Sequence, residues 1–358
     1  MREGWEYKKF ENCIVKSPKL KQVKKEAYNN GSQYPIISQE EKFISGYCDD
    51  ESMVCHIDRP IVVFGDHTRV LKYIDFDFVV GADGVKVIIP IKSIDSKFLL
   101  YFLQWYNIPN LGYSRHYKLL KDVMVPIPNC TTQQTIISEL DKLNELIQIK
   151  KEQLKAYDAL AQSIFYEMFG DPVENEKGWE VKKLGEVSIY PKERVAINQI
   201  CSSQYVGVEN LIKDRGGVRF SDNLPKADVA IAYKENDILL GNIRPYLKKI
   251  WLADKVGGAS GDVVIIRIKE RSISPLFLFK LLSSDQFFEY DNTHTKGAKM
   301  PRGDRKAIEK FGVILPPLPL QHSFAQKIEQ IEQQKAAIQK TITDLETLLA
   351  ARMQYWFD

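Results

Sequence analysis

No stretch of this 358-residue chain approaches the roughly 20 apolar residues that cross a bilayer, and its start, MREGWEYKKF, lacks the apolar core of a secretory signal. A cytoplasmic protein is expected. The cysteines, Cys13, Cys48, Cys55, Cys130 and Cys201, form an odd, scattered set with no CxxC pair, which argues against a disulfide framework and a zinc knuckle. Cys48, Cys55 and His56 come nearest to a metal site, with neither the spacing nor a second pair. Also missing are GxxxxGK(S/T), GxGxxG opening a helix after a strand, HExxH, a GxSxG elbow and an Asn-Pro-Pro-aromatic or Asp-Pro-Pro-aromatic segment. His67 beside Asp66 reads as a surface turn after the strand PIVVFG rather than an acid/base pair. A binding protein with no catalytic or metal site is expected.

What is present is a folded composition: 44% hydrophobic, 11% aromatic and 27% charged residues of mixed sign, in a chain long enough for two cores. The net charge of +3 is unevenly spread, at roughly +2 over residues 1–125, −4 over 126–177, +6 over 178–315 and −1 over 316–358. Basic blocks alternate with acidic ones.

The chain begins twice. GWEYKKFENC at residue 4 returns as GWEVKKLGEV at residue 178, an offset of 174. VPIPNCTTQQ at 125 and VILPPLPLQH at 313 each precede a long charged segment, with Pro128 on Pro316, Gln133 on Gln321 and Phe169 on Phe357, an offset of 188. A tandem duplication follows, each unit a globular part and then a helix.

In the first helix Ile136, Leu140, Leu143, Ile147, Lys150, Leu154, Tyr157, Ala161, Ile164 and Met168 step by four and three, the heptad signature of a coiled-coil seam. The second repeats it in phase with Phe324, Ile328, Ile331, Lys335, Ile338, Ile342, Leu345, Leu349, Arg352 and Trp356. The polar exceptions fall at different slots, Lys150 opposite Ile338 in the alignment and Lys335 opposite Ile147, which suggests that the two helices pair specifically with each other. Roughly 37 residues without Gly or Pro make a rod of about 55 Å. Thr131 or Thr132 is expected to cap the first helix, and Gly170 with Pro172 to end it.

The globular parts read as α+β. PIVVFGD, KVIIPI, NDILLGNI and GDVVIIRI are β-branched runs bounded by turn residues, whereas FLLYFLQWY and PLFLFKLLSS have helical spacing. Gly65 falls on Gly241 and Gly81 on Gly257, while the intervening side chains diverge. In the second part the loop HTKGAKMPRGDRK, 294–306, offers Lys296, Lys299, Arg302, Arg305 and Lys306. Its counterpart LGYSRHYKLLK, 111–121, offers Arg115, His116 and Lys118 with two tyrosines. Arg244, Tyr246 and Lys248 follow the strand NDILLGNI. Arginines and lysines at such edges suit phosphates and guanine edges. Lys16, Lys19, Lys21, Lys24, Lys25, Arg215 and Arg219 are further basic points that suit a solvated face equally well.

The doubled combination of GWE-x-KK opening a variable part, a Pro-rich PPLPLQ segment closing it and a long Glu/Gln/Lys-rich helix resembles the specificity subunit of Type I restriction-modification systems. The resemblance covers essentially the whole chain. It implies an α+β protein with two similar target-recognition domains, 1–128 and 178–317, each followed by a conserved helix, 129–170 and 318–358, with a linker at 171–177. The helices would pair as an antiparallel coiled coil with pseudo-two-fold symmetry. It implies partners in double-stranded DNA, two methyltransferase subunits and restriction/translocase subunits, with S-adenosylmethionine, ATP and Mg bound by those partners and no cofactor in this chain. The first domain begins close to Met1, is about 14 residues shorter, and carries GDHTRVLK where the second has GNIRPYLK. The competing expectation is a non-enzymatic coiled-coil scaffold with two peptide-binding domains.

Overall fold

A computed structural model of the chain describes residues 2–16, 20–31, 33–82, 84–112, 114–297 and 299–358. Two compact units emerge, Met1–Gln153 with Ile338–Asp358, and Leu154–Ala337. The repeat divides the chain between residues 170 and 178, whereas these units divide each long helix near its middle.

In the first unit an antiparallel sheet orders Ile14–Val15, Val85–Pro90, Ile61–Gly65 and Leu71–Ile74. Val62, Phe64 and Ile88 turn from it onto helix Ser96–Tyr106, burying Phe98, Leu99 and Phe102. Asp95 starts that helix by accepting from the Lys97 and Phe98 amides, and Asn107 ends it in the left-handed region. A second sheet centres on Phe78–Val80, with Tyr34–Ile37 parallel on one side and Val54–Cys55 antiparallel on the other.

The second unit repeats the plan with different contents. Its antiparallel sheet orders Ser188–Ile189, Val263–Ile268, Ile238–Gly241 and Ile250–Leu252. The other sheet centres on Gly257–Ala259 between parallel Tyr205–Val206 and antiparallel Val229–Tyr233. Helices Pro275–Leu282 and Asp285–Thr293 are capped by Ser274 and Ser284.

The doubled GWE-x-KK motif has a structural role. Glu6–Lys9 pairs antiparallel with Met124–Ile127, and Glu180–Lys183 pairs the same way with Gly312–Leu315. The first strand of each globular part thus lies against its last. Trp179, just before the second of these, donates its indole N–H to the Phe169 carbonyl at the end of the preceding helix, 2.8 Å.

The long helices run Cys130–Phe169 and Leu318–Phe357. The cap of the first is Asn129, whose Oδ1 accepts from the Thr132 amide at 2.8 Å, not Thr131 or Thr132, because the helix starts at Cys130, before either of those residues. Gly170, at φ +76°, closes it. Every seam position named from the sequence is buried or half-buried, whereas Leu146, Ile149, Leu160 and Leu348 off the seam are exposed. Within the first unit the two helical segments run antiparallel: Glu139 meets Arg352 and the Trp356 indole, and Lys151 meets Glu346 at 2.8 Å. Within the second, Phe165 and Phe169 pack on Phe324, and Lys335 reaches Asp158 at 2.7 Å. Lys150 instead bonds Gln153 on its own helix, 3.0 Å.

Candidate nucleic-acid interface

In the second unit the two basic segments singled out above are stitched into one edge. Lys296 and Arg302 exchange both backbone hydrogen bonds, at 2.8 and 2.9 Å, closing a tight loop in which Gly297 supplies φ +90°. Arg302 also bridges to Ile243, the Arg244 amide donates to the Pro301 carbonyl at 2.8 Å, and the Gly303 amide to the Asn242 carbonyl at 3.0 Å. Residues about 60 positions apart in sequence therefore share one rim, placed by the end of strand Ile238–Gly241.

Side chains on this rim differ in how freely they can meet a ligand. Those of Arg244, Tyr246 and Lys299 are exposed and make no hydrogen bond or ion pair among the described residues. Arg244 is held at φ +54°, a conformation that costs a non-glycine residue on the order of 1 kcal/mol and so is imposed by the bonds on either side. Arg302 pairs with Asp262 at 3.2 Å while still half-exposed. Lys296 pairs with Asp304 at 2.7 Å, which holds that carboxyl below its ordinary range. Exposed pairs of this kind are worth about 0–1 kcal/mol, so a phosphate can exchange for either carboxylate. Arg305 donates to the Gly261 carbonyl at 2.9 Å, and Lys306 is exposed in the short helix Arg305–Ile308 that Asp304 caps.

Lys248 has a different role. With Arg215 it grips Asp285, at 2.6 Å from its own amine, and the two cations hold that carboxyl down. Arg215 also donates to the Ser283 carbonyl and lies 5.5 Å from the Phe288 ring. The network braces the Pro245–Leu247 turn from beneath. Only an acid on a separate helix could reveal it, and sequence spacing carries no such signal.

In the first unit Arg115 and Lys118 are exposed, and Tyr113 lies outside the described residues, as does Lys19. His116 is corrected: it is fully buried. Its Nε2 accepts from the Leu111 amide at 3.1 Å, so its Nδ1 donates to the Asp66 carbonyl at 2.9 Å. The imidazole staples the loop to the strand edge and cannot reach a ligand. Asp66 is equally committed, its Oδ1 accepting from the Tyr117 amide at 2.8 Å.

Among the described residues no group of three or more acidic, histidine or cysteine side chains could hold a metal, and no helix is long and apolar enough to cross a membrane.

The chain is similar to proteins of one class. Residues 2–156 match the family model described as the Type I restriction modification DNA specificity domain. The chain is 29% identical over 107 residues, 30% of its length, to the Type I restriction enzyme EcoDI specificity subunit of Escherichia coli, of which the match spans 23%. It is 25% identical over 304 residues to the Type I restriction enzyme MjaIX specificity subunit of Methanocaldococcus jannaschii, covering 74% of this chain and 69% of that one. The crystal structure of a Type I restriction-modification system S subunit from M. genitalium shares the fold, with a TM-score of 0.59 at 12% identity over 99% of this chain and 96% of that one. The resemblance to Type I specificity subunits read from the repeat therefore holds in the family match, in the curated relatives and in the fold.

Proposed function

We propose that this chain is the non-catalytic, DNA-reading subunit of a Type I restriction-modification enzyme. Each globular part would read one half of a split, asymmetric duplex target. The paired helices would set the unread gap and receive two methyltransferase subunits, which in turn bring restriction/translocase subunits. S-adenosylmethionine, ATP and Mg would be bound by those partners, and the complex would work in the cytoplasm with the DNA. The observation that carries the reading is the rim of the second unit, where backbone pairing gathers Arg244, Tyr246, Lys299 and Arg302 on a domain of the specificity fold.

Mapping methylated adenines in the source genome with and without this gene would name the target: a bipartite motif should vanish on deletion. A duplex carrying that motif then tests the rim. Changing Arg244 and Arg302 together to Ala should weaken binding and lower the slope of log affinity against log salt by roughly 0.9 for each phosphate that is no longer neutralised. A scaffold protein would be indifferent to both changes.

A further inference from the structure

The rim of the second unit stands on a buried acid without partners. Asp291, near the end of helix Asp285–Thr293, is 1% exposed, and neither of its carboxylate oxygens has a hydrogen-bond partner among the described residues. Asn242, which follows strand Ile238–Gly241, is 9% exposed, and its Oδ1 is also without one. The three oxygens crowd the same point. A methyl group built on Gly303 would meet Asp291 Oδ1 at 2.6 Å, Asn242 Oδ1 at 3.0 Å and Asp291 Oδ2 at 3.3 Å. The Gly303 amide offers no relief, since it donates to the Asn242 backbone carbonyl.

The first unit solves the same position differently. Asp66, which falls on Asn242 in the alignment that places Gly65 on Gly241, has its Oδ1 satisfied by the Tyr117 amide of the opposing loop. In the second unit three acceptors meet with no donor among the described residues, and a buried acceptor left bare loses its hydration without compensation. One proton on the carboxyl turns an acceptor into a donor, which satisfies Asn242 Oδ1 and removes the buried charge, leaving a single neutral carboxyl oxygen bare. We infer that Asp291 is a positioning residue of the basic rim, held as the neutral acid and donating to Asn242 Oδ1, so that Gly303 and the segment from Arg302 to Arg305 stay fastened to the strand edge.

The electrostatics run the same way. Burial raises the Asp291 carboxyl to about 6, opposed by the positive charge of His294. A partner that can only accept from the neutral acid raises it further. The charged group acting on it is His294, whose Nδ1 lies 2.7 Å from the Tyr290 carbonyl; Asp291 in turn acts on Tyr190, whose hydroxyl is raised by burial and then by Glu309, with Asp291 and Asp304 adding to this and Arg305 opposing it. Because the folded value lies above the ordinary carboxyl value of 3.8, the stabilisation is complete below that value and is lost as pH rises through about 6 and beyond.

The inference rests on the DNA-reading proposal for its functional consequence, so two readouts separate them. With the full chain and the mapped duplex, affinity is measured from about pH 5.5 to about pH 8.5 at constant salt. The parent protein should weaken by up to about tenfold per pH unit above the Asp291 midpoint. Asp291→Asn, whose amide donates at every pH, should bind well and lose the dependence, Asp291→Ala should bind poorly throughout, and His294→Gln should keep the profile. Without DNA, infrared difference spectra of the parent should show a protonated carboxyl that is absent from Asp291→Asn. The inference is overturned if Asp291→Asn follows the parental profile, if His294→Gln abolishes it, if the neutral carboxyl is missing, or if affinity of the parent at constant salt does not change with pH. A neutral carboxyl in a protein that binds no duplex at any pH would instead sink the DNA reading alone.

Discussion

Gln133 and Gln321 show what one side chain can do twice. Gln133 accepts from the Asp95 amide at 2.8 Å and donates to the carbonyls of Ser93 and Pro128 at 2.8 and 2.9 Å. Gln321 repeats all three bonds with Ser274, Ser272 and Pro316. Each is buried, tying the start of a long helix to the start of a domain helix. Gln321→Leu should leave two carbonyls and an amide bare and cost about 2–4 kcal/mol, read as an earlier unfolding transition by denaturant titration. The identity of the two glutamines was visible in the period of the repeat, but most of their bonding was not, because the Ser93, Asp95, Ser272 and Ser274 partners lie about 40 to 50 residues upstream. His116 failed for the same reason: Arg115 and Lys118 beside it are basic and exposed, while its burial goes with the bond to the carbonyl of Asp66. Thus His116→Ala should lower stability by about 2–3 kcal/mol and leave the salt slope of DNA binding alone, whereas Arg115→Ala should lower the slope and spare stability.

At the scale of elements, the helices were the most legible part of the chain. A seam repeating by four and three needs only local geometry, so its burial follows from residue order alone. Caps were less so: the sequence pointed to Thr131 or Thr132 and the cap is Asn129, because the choice depends on where the strand Met124–Ile127 releases the chain. Strands such as Ile61–Gly65 were found by β-branched runs, but their pairing order is non-local and left no mark in the sequence. Lys335 sits at a seam position and its Asp158 partner is mostly exposed, so Lys335→Ile should raise the unfolding midpoint of the second unit by up to about 1 kcal/mol equivalent. A fall would mean that the ion pair outweighs the buried apolar surface.

For the whole molecule, the repeat announced two similar halves, yet it could not announce that each compact unit borrows part of the other copy's helix, because that depends on antiparallel pairing rather than on period. If the helices set the unread gap, inserting one heptad into each should lengthen the gap in the methylated motif while both half-sites stay the same; methylome sequencing of the engineered strain reads this directly, and an unchanged gap would remove the helices as the ruler. The pairing of Glu6–Lys9 with Met124–Ile127, and of Glu180–Lys183 with Gly312–Leu315, has a consequence for inheritance. Each globular part enters and leaves through a single two-stranded doorway, so a crossover at the doorway can replace everything between its strands without shifting a residue of the helices. Under the proposed function such a chain would acquire a new half-target by recombination in one step, faster than by substituting side chains one at a time.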